Sequence, residues 1–190
     1  MGVEQISLWV FVAVMVFWAV GAYNRLVRLR AGIKQAFASV EAHIRQRDAL
    51  LAQWTDGLRA PLVDEPRSVD AVVAACGQVM AASDHARAAP SAARPIGSLR
   101  LAEEVLGDAR TRLTTLLGQR SRLLNGVGLA VQAEELAAVD GTLGFARRQY
   151  NEAAQTYNDA VTQFPTWIIA GVFGFQPAGA LCDEARTSGS

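Results

Sequence analysis

All three tyrosines of the chain stand directly before an asparagine: Tyr23-Asn24, Tyr150-Asn151 and Tyr157-Asn158. The chain holds only four asparagines in 190 residues, so the pairing is not a chance of composition. A phenol beside a carboxamide is hydrogen-bonding chemistry, with donors and acceptors on neighbouring side chains. Tyr150 and Tyr157 lie seven residues apart, two turns of helix, and so share a face. A buried tyrosine needs a partner for its hydroxyl. The asparagine one step round can reach backbone or side chains of a neighbouring helix. Two uses fit this pattern: a polar clasp between parts of the fold, or contact with a ligand or partner.

The other titratable groups do not form a reactive set. His43 and His85 fall on different predicted helices, with no acidic or cysteine ligands at metal spacing. Glu103-Glu104 and Glu134-Glu135 are adjacent residues that diverge by about 100 degrees on a helix, so they read as solvated faces and not as carboxylate dyads. Cys76 and Cys182 are far apart, without metal-type spacing. Cys76 falls on an apolar helical stripe, where it acts as a small core hydrophobe, and both thiols should stay reduced in a cytoplasmic domain. No Walker-type, nucleophile-elbow or dinucleotide-binding glycine motif occurs, and Asn125-Gly126-Val127-Gly128 reads as a helix break. The expectation is therefore no catalytic residue, no metal and no cofactor.

Eighteen basic and eighteen acidic residues give zero net charge, which argues against a general nucleic-acid binder. Seventeen of the basic residues are arginine, as a GC-rich bacterial genome would favour. The length suits one domain with appendages.

Much of the 51% hydrophobic content is gathered near the N-terminus. Residues 6–22 carry no charge and one polar side chain, Ser7, and would span roughly 25 Å as a helix. Trp9 lies near one end, with Trp18 and Tyr23 near the other, where amphipathic rings favour the headgroup zone. A cleaved signal peptide is the competing reading, but the residues before the apolar run include no Lys or Arg. The basic residues Arg25, Arg28, Arg30 and Lys34 follow the run. By the positive-inside rule residues 1–5 lie outside and everything after Ala22 in the cytoplasm. The same four residues, Arg25, Arg28, Arg30 and Lys34, also suit contact with anionic lipid, to which Arg147 and Arg148 would add.

The remainder reads as helix throughout. Leu26, Leu29, Ile33, Phe37, Val40, Ile44, Leu51, Trp54 and Leu58 recur at helical steps, and the 11-residue spacing of Leu29, Val40 and Leu51 keeps one face of a nearly straight helix apolar. With no proline between them, the span and this helix should form one rod. After Pro61–Pro66, a second stripe of Val69, Val72, Val73, Cys76, Val79 and Met80 predicts a helix ending before Pro90. A loop over 90–95 precedes a third helix, capped near Ser98, with Leu99, Leu101, Ala102, Val105, Leu106, Ala109, Leu113, Leu116, Leu117 and Leu124 on its buried side. The fourth is the most regular: Leu129, Leu136, Leu143, Tyr150, Tyr157 and Phe164 repeat every seven residues, with small residues between, and Pro165 ends it. The predicted fold class is all-α: an N-terminal transmembrane helix continuing into an antiparallel four-helix up-down bundle over 23–164. Phe164 should return beside Tyr23, and Tyr157 should come level with Arg30. The apolar segment 165–178 is too short to cross a bilayer and either lies in the interface, anchored by Trp167, Phe173 and Phe175, or caps the bundle core. Residues 179–190 read as a disordered tail.

These blocks resemble the LemA family of bacterial membrane-anchored helical proteins. Tyr23-Asn24-Arg25-Leu26-Val27-Arg28-Leu29-Arg30 is similar to the family's Y-N-x-L-V-x-L-R, and Ala36-Phe37-Ala38-Ser39-Val40-Glu41 to its A-W-S-x-I-D. Arg47 to Leu51 resembles R-R-x-D-L-I. Ala146-Arg147-Arg148-Gln149-Tyr150-Asn151 with Tyr157-Asn158 resembles A-R-x-x-Y-N…Y-N, and Phe164-Pro165 through Phe175 resembles F-P…A-x-x-F-G-F. Ala52 and Gln53 replace the family's usual proline and asparagine, and residues 55–125 depart most. The resemblance implies this architecture and a location at the bacterial inner membrane, and brings no biochemical activity with it. The functional expectation is a non-enzymatic scaffold on the cytoplasmic face that meets lipids and other proteins, including a second copy of itself. A membrane-shaping or envelope-stress-sensing role of the C-terminal apolar segment is the alternative, and an enzyme acting on a membrane substrate is remote.

Overall fold

The computed structural model describes residues 2–120 and 129–181. Among these it forms five α-helices and no strand: α1 (Val3–Arg59), α2 (Pro66–Ala88), α3 (Ala93–Gln119), α4 (Leu129–Thr162) and α5 (Thr166–Phe173).

α1 is one unbroken helix of 57 residues, about 85 Å long. Its two halves differ in what surrounds them. The first is bare: its most apolar 18-residue stretch has mean hydropathy 2.1 and none of it is buried. The second buries Leu26, Ile33, Phe37, Val40, Ile44, Leu51, Trp54 and Leu58 against its neighbours. Leu29 is only partly covered. The expected rod, running from apolar stretch into bundle without a break, is what forms.

The pairing of side chains gives the directions. Arg59 meets Asp70 and Arg45 meets Asp84, while Arg30 meets Ser91 beyond the end of α2, so α1 and α2 run oppositely. Arg110 meets Asp140 and Glu103 meets Arg147, which sets α3 against α4 in the same sense. Phe37 lies edge-on to Tyr150, with ring centroids 6.0 Å apart, and Arg47 approaches Asp140, so α4 returns along α1.

Three stripes differ in detail from their expected form. In α2 the buried line is Val69, Val72, Ala75, Val79, Ser83 and Ala86, and Val73 faces outward. Small residues on the inner face let α2 sit close to its partners. α3 begins at Ala93, earlier than Ser98, so Pro95 lies in its first turn, where a missing N–H costs nothing. Ser98 does not cap the helix; its hydroxyl donates to Arg94 O from inside it. Leu101 and Val105 are exposed. In α4 the heptad holds for Leu136, Leu143, Tyr150 and Tyr157, all buried, but Phe164 lies past the helix end and is 74% exposed. The rings that meet Tyr23 are instead Phe173 at 4.9 Å and Phe175 at 5.8 Å.

α5 packs against α1 and α4 through Thr166, Ile169 and Ala170. Gly174 ends it at φ 69°, a left-handed turn that only glycine adopts without strain, and its N–H donates to Ala170 O. Residues 174–181 then run back along the bundle. The first three residues expected in a disordered tail, 179–181, are held there, with Leu181 buried. The expectations for 182–190, for Cys182, for Leu124 and for the break at 125–128 lie outside the described residues.

Candidate functional site

The site with the most specific polar geometry is where α4 grips the returning C-terminal segment. Its heptad places Tyr150 and Tyr157 on one face, with Asn151 and Asn158 one step round. All four side chains bind main chain. Tyr157 donates its hydroxyl to Gln176 O at 3.0 Å. Asn158 holds both polar groups of Ala178: its Nδ2 donates to the carbonyl at 3.0 Å and its Oδ1 accepts the N–H at 2.6 Å. Tyr150 Oη lies 3.0 Å from Gly179 O and 2.8 Å from Pro90 O, so its one hydrogen serves two carbonyls. Asn151 Oδ1 accepts Leu181 N–H at 2.8 Å.

The spacing works as a ruler. Asn158 and Asn151 are seven residues apart on a helix, about 10.5 Å. Their targets, Ala178 and Leu181, are three residues apart, a separation that an extended chain spans in about 10 Å. A seven-residue period on the helix thus matches a three-residue period on the strap. Recognition through backbone asks little of the strap's side chains except fit. Gly179 is the exception, because a Cβ there would come within 2.9 Å of Ala93 Cα. Burial pushes the Tyr150 phenol well above its ordinary range. Tyr157 is raised by burial too, against the opposing charge of nearby Arg30. Both stay protonated and able to donate.

The third pair does not join this site. Tyr23 stands at the foot of the bare half of α1, against Phe173 and Phe175, and Asn24 is exposed. Tyr157 does come near Arg30, as expected. Arg25 and Arg28 lie exposed beside Tyr23, and Trp18 is partly covered by the top of the bundle. On α5, Trp167 is 54% exposed and Phe173 faces out as well, whereas Phe175, just past the helix end, is partly buried. The segment thus has one face on the bundle and an apolar face off it. Pro165 forms the turn that starts α5.

A second polar cluster was not foreseen. Arg47, 4% exposed, donates to Glu103 at 2.7 Å. Arg147 pairs with the other oxygen of Glu103 at 2.8 Å, and Arg110 forks onto Asp140 at 2.7 and 3.2 Å. Glu103 is therefore no solvated carboxylate, and Arg147, expected to add to a lipid-facing cluster, is instead paired with it inside the bundle. The signal was present in part: Glu103 follows Ala102 directly and flanks the Leu99–Leu106 stripe, so its stem borders the core. The partner helix could not be read from spacing. Among the described residues no three His, Cys, Asp or Glu side chains gather as a metal-binding group. The Cys76 thiol is pushed up to about 11, by burial first and then by the Asp48 carboxylate.

A family model described as the LemA family matches residues 36–187. The match runs through 55–125, the stretch that departs most from the motifs, and begins downstream of Tyr23-Asn24. No curated protein matches the chain.

Proposed function

The chain belongs to the LemA family, and on that premise we propose that it is a non-enzymatic scaffold or interaction module anchored on the cytoplasmic face of the bacterial inner membrane. In this reading α1 crosses the bilayer once with its N-terminus outside, and α1–α4 form an antiparallel four-helix up-down bundle. One observation carries it: the bare apolar half of α1 and the buried half are the same continuous helix. Orientation of the anchor is thereby transmitted to the bundle without a hinge. Arg25, Arg28, Arg30 and Lys34 following the apolar stretch support the N-out direction. The polar clusters support a structural and not a catalytic use, since the Tyr-Asn side chains of α4 are engaged with main chain and Glu103 with two arginines. Crosslinking of the full chain in native membranes should recover a complex with other proteins or with itself. Recovery of monomer alone, at crosslinker levels that capture known membrane complexes, contradicts the scaffold.

A second reading is favoured by α5. Its outward face of Trp167, Ile168, Val172 and Phe173 is apolar and lies next to the foot of the span through the Phe173–Tyr23 contact. This supports a role in which α5 lies in the bilayer interface and shapes the membrane or senses its state. In full chain with Trp9→Phe, Trp18→Phe and Trp54→Phe, which leave Trp167 as its one tryptophan, reconstituted in nanodiscs, the fluorescence should be quenched by lipids brominated near the headgroup. Equal quenching by an aqueous quencher with and without lipid removes this reading.

A further inference from the structure

We infer that the cleft between α1, the α2–α3 turn and α5 binds the headgroup of an anionic phospholipid; this rests on the membrane-anchored reading above. The cleft has a volume of about 490 Å³, within the range of small-molecule sites. Arg30 and Lys34 of α1 and Arg87 of α2 line its polar side, and Tyr23, Phe173 and Phe175 form an aromatic wall toward the apolar half of α1. A phosphate among the cations would leave its glycerol and acyl chains to run past the rings into the bilayer.

Three observations point to an anion with an apolar tail. Among the described residues no carboxylate pairs with Arg30 or Lys34; Arg30 spends one donor on Ser91 Oγ at 3.3 Å, and four of its N–H donors remain. Arg87 alone is partly neutralised, by Glu41 and Asp84. Secondly, charge is unevenly placed in a chain of zero net charge. The described residues at this end of the bundle (23–34, 87–95 and 153–181) carry six cations, Arg25, Arg28, Arg30, Lys34, Arg87 and Arg94, against one anion, Asp159. Such a face is attracted to anionic lipid. Thirdly, the depth is right. Arg30 and Lys34 lie about 10 and 16 Å along α1 from Tyr23. Helical side chains lean toward the helix N-terminus, here the membrane side, and long cationic stems reach further the same way.

The test uses the full chain purified in mild detergent, with lipid retention read by native mass spectrometry. Phosphatidylglycerol should be retained in preference to phosphatidylcholine. Arg30→Gln with Lys34→Gln should weaken phosphatidylglycerol binding about 30-fold, each charge near the surface counting for roughly fivefold. Arg67→Gln with Arg112→Gln, which line a cleft at the other end of the bundle, should leave it unchanged. Equal retention of the two lipids, or equal loss in both double variants, overturns the proposal. Displacement of phosphatidylglycerol by equimolar inorganic phosphate also overturns it, by identifying a free-phosphate site. Carbonate extraction of membranes tests the anchor separately: an extracted chain defeats the membrane reading, and a resistant chain without lipid preference defeats only the cleft.

Discussion

Asn158 satisfies the N–H and the carbonyl of Ala178 at once, so Asn158→Ala strands two main-chain groups in a part-buried site. The variant should lose about 1–3 kcal/mol in chemical denaturation. It should also speed hydrogen exchange at Ala178 and Leu181 more than at Tyr150, and unchanged exchange there removes the clasp. At Glu103, which is 12% exposed between two arginines, substitution by alanine leaves Arg47 buried without its partner and should cost about 3–5 kcal/mol. Its exposed neighbour Glu104 should change stability by no more than about 0.5 kcal/mol. Similar losses at the two positions would mean that the charge cluster is not a support of the fold. For Cys76, a folded pKa of about 11 against an ordinary 9.0 means the unfolded chain gives up the proton first as pH rises. Any stability linked to it is fully present below about pH 9 and fades as pH climbs through about 11. In a Cys182→Ser background, alkylation at pH 8 should be slow natively and fast in denaturant; a fast native reaction contradicts this environment. The Tyr-Asn pairs announced a polar clasp in sequence because their types and period were visible. What they clasp was not, since the targets are backbone groups and backbone carries no sequence signal.

At the scale of elements, the helices were legible where apolar residues repeat and misread where alanine or proline dominates. The α4 heptad from Leu136 to Tyr157 and the stripe of α1, apart from Leu29, are packed as their spacing implies, because large residues at two- to three-turn intervals have only one way to leave water. In α2 and α3 the outlying valines and leucines proved exposed, and Ala75, Ser83 and Ala86 took the inner positions. Small residues are ambiguous in sequence since their burial is decided by how closely a neighbour approaches. This difference is measurable. Leu143→Ala should cost about 2–5 kcal/mol, as it empties a fully packed position, whereas Leu101→Ala should cost no more than about 0.5 kcal/mol. Equal effects in thermal or chemical unfolding would show the face assignment of α3 or α4 to be wrong. α5 has two unlike faces: Ile169 and Ala170 are buried against the bundle, and Trp167 and Phe173 stay outside.

On the scale of the whole molecule, a single helix about 85 Å long carries the chain away from its apolar start, and α4 brings it back until Phe173 touches Tyr23. That return gathers the apolar face of α5, the basic cleft and the foot of the candidate span at one end, and the membrane readings depend on it. The measurement that tests it most directly is a pair of spin labels at Val20→Cys and Val172→Cys, both exposed positions, in full chain with Cys76→Ser and Cys182→Ser, reconstituted in nanodiscs. A distance distribution centred within about 20 Å is predicted. A centre near 50 Å, about the length of the buried half of α1, would place α5 at the far tip and contradict the account.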